Sequence, residues 1–138
     1  MNTQPKIPYQ ELKVGFELPC TSYELKPEMV ANYIEAVSDD SAIYDNGRLA
    51  PPMAVAACAM KAISDCVMLP PGVVHTHGDI RFSGTANTGE IIDCYGKVSQ
   101  QLKRGSLTLL TMDFSICNHK GETIFEGQTG FILPEDSL

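Results

Sequence analysis

The chain has 138 residues, a length that fits one domain with one substantial core. Its net charge of −7 argues against a general binder of nucleic-acid backbones, a role that rests on clustered Lys and Arg. With 43% hydrophobic and 20% charged residues the composition is that of an ordinary globular domain, and no apolar run is long enough to span a bilayer.

Polar residues Asn2, Gln4 and Lys6 stand where a signal peptide would need apolar ones, so a cytoplasmic location is expected. The five cysteines (Cys20, Cys58, Cys66, Cys94 and Cys117) are odd in number and include no CxxC pair. They read as small buried hydrophobes, not as a disulfide framework or a zinc site.

In chain order, residues 1–8 are polar and proline-bearing and are expected to form a loose arm ahead of a single domain over 9–138. An extended segment follows around Glu17 to Leu25. Pro27 then suits the first turn of a helix in which Met29, Val30, Tyr33, Ile34 and Val37 share one face. A polar loop runs from Ser38 to Arg48 and ends at Ala50-Pro51-Pro52, where a helix can start. Met53 to Met68 is apolar on almost every side, broken only by Lys61, Ser64 and Asp65 on a narrow stripe. A helix of this composition is expected to be buried nearly all round, with its alanines allowing close packing. Pro70-Pro71-Gly72 ends it.

The remainder alternates with the period of strands: His77 to Ser83, Glu90 to Gln100, Ser106 to Cys117 and Thr123 to Leu133. Lys103-Arg104-Gly105 supplies one turn and Asn118-His119-Lys120-Gly121 another. One hydrophobic helix followed by long meandering strands predicts an α+β domain with the sheet curled round the helix. Such a sheet leaves surface to cover, so dimerisation is expected.

Several stretches resemble one family. Tyr33 to Asp45 is similar to the F-A-x-x-x-G-D-x-N-P-x-H-x-D segment of MaoC-like hydratases. Leu49-Ala50-Pro51-Pro52-Met53 resembles their A-P-P-T or A-H-G-M helix start, and His77-Gly78-Asp79-Ile80-Arg81-Phe82 resembles an H-G-E-x-x-F strand. Gly89-Glu90 matches a G-D before the next strand, and the resemblance covers roughly 15–133 in order. It implies a hot-dog fold, a long central helix wrapped by an antiparallel sheet, acting on acyl thioesters.

In that family an Asp and a His hold the water that adds to, or leaves from, the α,β-bond of an enoyl thioester, while a helix-start N–H receives the thioester oxygen. The resemblance places Asp39 at the aspartate and Tyr44 at the histidine; a tyrosine, with an ordinary pKa near 10, is a poor base at neutral pH. Pro52 stands at the glycine whose N–H caps the oxyanion, and it has no N–H; Met53 is the neighbour able to supply one. Asp40 is expected beside Asp39 in the substrate site. The A-P-P form resembles dehydratase half-domains that work beside a catalytic partner.

His75 and His77, two apart on a strand, are expected to share a face and to offer a base; with no third ligand they do not suggest a metal site. Lys103 and Arg104 are candidates for the phosphates of coenzyme A. The expected activity is hydration of a 2-enoyl thioester, or the reverse dehydration, a lyase reaction. The alternatives are a non-catalytic subunit of a heteromeric dehydratase and a hot-dog thioesterase. No cofactor is implied beyond the acyl-CoA or acyl-carrier substrate, and the expected partner is a second hot-dog subunit, identical or different.

Overall fold

The computed structural model describes residues 5–44 and 46–134. Two helices, α1 (Pro27–Ala36) and α2 (Pro52–Cys66), accompany seven strands. These are β1 (Ile7–Pro8), β2 (Thr21–Glu24), β3 (Val67–Met68), β4 (Val74–Phe82), β5 (Ile91–Arg104), β6 (Leu107–Cys117) and β7 (Thr123–Pro134). The five longer strands form one antiparallel sheet in the order β2-β5-β6-β7-β4. Residues 1–4 of the expected arm lie outside the described residues, while Ile7 and Pro8 pair in parallel with Val67 and Met68.

Strand alternation decides the inner face. Ile92, Cys94 and Val98 of β5, then Leu110, Met112, Phe114 and Ile116 of β6, are all buried, as are Phe125, Phe131 and Leu133 of β7. Against them lie Ala54, Val55, Ala56, Cys58, Ala59, Ala62 and Ile63 of α2. Small side chains let the helix approach the sheet closely, and each large aliphatic residue buried there contributes about 2 kcal/mol.

Three expectations need correction. The helix stops at Cys66, because Val67 and Met68 turn extended to pair with β1. Nor is it buried all round: Met53, Ala57 and Met60 stay exposed beside the Lys61 stripe, because that side borders an open cavity and not a packed layer. Lys103 and Arg104 are the last two residues of β5, opposite Thr108 and Leu107, and the turn falls one residue later at Gly105 (φ 61°).

Pro51 caps α2 in an extended conformation and Pro52 is its first residue. The helix start is clamped by the β4–β5 loop: Ala50 N–H donates to the Ala86 carbonyl at 2.9 Å and Thr88 N–H to the Arg48 carbonyl at 2.7 Å. Glu90 secures that loop, with one carboxylate oxygen accepting the Asn87 N–H (2.8 Å) and the other meeting His119 Nδ1 of the β6–β7 turn (2.5 Å). No described helix is long and apolar enough to cross a membrane.

Candidate functional site

The exposed side of α2 forms one wall of an almost wholly apolar cavity of about 370 Å³. Met53, Ala57 and Met60 face Ile80 of β4 and Phe125 of β7, and Tyr33 of α1 contributes to the lining. A volume of this size is within the usual range for small-molecule sites. Glycines make the room. Gly78 lies opposite Thr129 on the inner face, and a Cβ built there meets nothing within 4 Å. At Gly127 a Cβ would instead lie 3.0 Å from the Phe125 ring and 3.2 Å from the Asp79 carbonyl.

One polar group is set into this apolar wall. Thr129 is the one buried polar residue among the described residues, 6% exposed. Its hydroxyl donates to the His77 carbonyl at 3.2 Å and lies 2.5 Å from His75 Nε2. The His75 ring leans on Phe131, with centroids 5.2 Å apart. His75 and His77 do not share a face. The strand bulges between them, so that His75 pairs with Phe131 and His77 with the very next residue, Gly130. One extra residue reverses the alternation; His75 faces the cavity, and His77 faces outward beside the Thr76 hydroxyl (2.9 Å).

At the helix start, Ala54 and Val55 N–H both donate to the Pro51 carbonyl, and Pro51 and Pro52 have no N–H. The Met53 N–H has no hydrogen-bond acceptor among the described residues, and Met53 lines the cavity. The positive end of the helix dipole therefore carries one free donor there. Pro52 lies elsewhere, against Leu49, Phe82 and Gly84.

The other candidates are not gathered here. Asp39 and Asp40 border a separate shallow depression with Ala31 and Ile34. Asp39 Oδ1 accepts the Ser41 N–H at 3.0 Å, holding its own turn. Just before it, Ser38 adopts φ 54° at the position where the family pattern has glycine, which shows why glycine suits that site. Tyr44 ends a short 3-10 turn, Ala42–Tyr44, and does not line the apolar cavity. Lys103 borders a groove with Lys13 and Tyr9 near the β5–β6 turn; neither Lys103 nor Arg104 lines the apolar cavity. Among the described residues no three His, Cys, Asp or Glu side chains gather to hold a metal.

Gly78, Gly127 and Thr129 were absent from the sequence candidates. The available signals were glycines inside strands, which mark close approach, and a threonine on an inner face otherwise formed by Phe125, Phe131 and Leu133.

The same architecture occurs in solved structures. An (R)-hydratase from Pseudomonas aeruginosa superposes with a TM-score of 0.78 at 21% identity, over 96% of this chain and 89% of that one. This chain has the hot-dog fold. A MaoC-like dehydratase from Rhodospirillum rubrum shares the hot-dog architecture with a TM-score of 0.73, at 14% identity over 94% of this chain and 97% of that one. A C-terminally truncated 3R-hydroxyacyl-ACP dehydratase complex from Mycobacterium tuberculosis gives 0.68 at 18% identity, over 86% and 96%. No protein-family model and no curated protein matches the sequence.

Proposed function

We propose that this hot-dog chain is a MaoC-like acyl-thioester-binding protein that hydrates 2-enoyl thioesters, or dehydrates 3-hydroxyacyl thioesters, through an atypical site. The observation that carries this reading is the apolar cavity beside the start of α2. It suits an acyl chain in volume and lining, and Met53, whose helix-start N–H has no acceptor among the described residues, is one of its lining residues. As negative charge develops on a thioester oxygen, a donor at a helix start stabilises it.

The site is incomplete in one chain. Asp39 and Tyr44 lie off the cavity, whereas four of its residues, His75, Gly78, Asp79 and Ile80, belong to the sheet-edge strand β4. All nine β4 residues are exposed, including Val74, Ile80 and Phe82. A long exposed edge of this kind is an aggregation hazard unless another chain covers it. A second hot-dog subunit seated on β4 would close the cavity and bring further side chains to it.

The test is a hydration assay on short and long 2-enoyl-CoA substrates, paired with acyl-CoA binding by calorimetry. Binding with turnover supports the hydratase. Absence of acyl-CoA binding, alone and with co-expressed hot-dog subunits, would sink the reading altogether. A second reading, a non-catalytic subunit beside a catalytic one, is favoured by the lack of an N–H at Pro52 and by tyrosine at position 44. It predicts acyl-CoA binding with turnover only in the mixture.

A further inference from the structure

The bulge in β4 has a chemical consequence at the cavity wall. Thr129 has one hydroxyl proton and two neighbours, the His77 carbonyl and His75 Nε2. A carbonyl only accepts, so both contacts are hydrogen bonds only when the Thr129 proton goes to His77 O. The short contact to His75 is then a hydrogen bond only if Nε2 carries a proton and donates it to Thr129. In neutral imidazole this arrangement leaves the lone pair on Nδ1, which has no partner among the described residues. Phe131 holds the plane of the ring.

We propose that His75 is the proton-transfer residue of this cavity and that Thr129 is its positioning residue, fixing the tautomer with Nδ1 as base. The assignment rests on the reading of the cavity as an enoyl-thioester site, and it supplies from β4 the base that Tyr44 does not. In hydration an O–H bond of water breaks as Nδ1 takes the proton, and the C3–O bond forms. The electron pair of the double bond becomes the enolate, and the imidazolium returns the proton to C2. One water is consumed per double bond, and histidine is restored.

The experiment combines enoyl-CoA hydration kinetics with heteronuclear NMR of the imidazole nitrogens, on the wild type and three variants, in whatever assembly turns over. His75→Gln is expected to lower kcat by about 100-fold, the usual scale of general acid–base catalysis, with KM little changed. Thr129→Val, nearly the same shape without the hydroxyl, should lower kcat by about tenfold or more, as wrong-tautomer variants do. It should also shift the His75 resonances from the Nε2–H form to a mixture, and Thr129→Ser should restore both. Two results overturn the assignment alone: full kcat in His75→Gln, or a wild-type His75 with Nε2 unprotonated at neutral charge. Bound acyl-CoA with no hydration in any assembly overturns it together with the hydratase reading.

Discussion

Glu90 links the pocket's frame to the hairpin beyond it. Its side chain is 9% exposed; burial alone would raise its pKa, but the Asn87 N–H and His119 stabilise the carboxylate more, and the net direction is down. A carboxyl with a lowered folded pKa contributes stability that is present above its ordinary value near 4.3 and lost as the pH falls through the lower folded value. Glu90→Gln should therefore cost about 1 kcal/mol at neutral pH. That difference should shrink as the pH falls below about 4 in urea titrations of both proteins; a difference that grows with acid would refute the sign. Burial acts in the same direction on the core thiols but with no partner strong enough to offset it, pushing Cys94 up to about 12, with Cys58 raised for the same reason, so both stay protonated at the centre of the core.

At the scale of elements, the cavity exists because α2 shows the sheet its alanines on one side and Met53, Ala57 and Met60 on the other. The strand facing that second side offers a glycine. Gly78→Val places two methyl groups in open space, at a backbone that accepts a side chain, so the fold should persist while the cavity shrinks. Thermal unfolding should move by only a few degrees, and acyl-CoA affinity should fall at least tenfold, most for long chains. Unchanged affinity across chain lengths would place the acyl group elsewhere. The alternating strands and the Pro51-Pro52 helix start were legible from periodicity and proline chemistry. The β4 bulge was not, because an extra residue in one strand is visible only against its partner.

For the whole molecule, the exposed β4 edge and the dispersed candidates point to assembly. Sedimentation at micromolar concentration is expected to give the mass of two hot-dog chains. Ile80→Glu, a charge on the apolar edge, should return the mass to one chain and abolish turnover with it. A monomer at every concentration, alone and beside co-expressed hot-dog subunits, would leave the edge without a function.

By itself the sequence determined the α+β order of elements, the inner faces of β5, β6 and β7, and the helix start at Pro51-Pro52, because each of these follows from local period and backbone chemistry. Only tertiary structure decided that His75 and His77 part to opposite faces, that Gly78 and Gly127 hollow out the cavity, and that Thr129 meets His75 from a strand more than fifty residues away. These depend on register and on which strands become neighbours, properties of pairs that no single stretch of chain encodes.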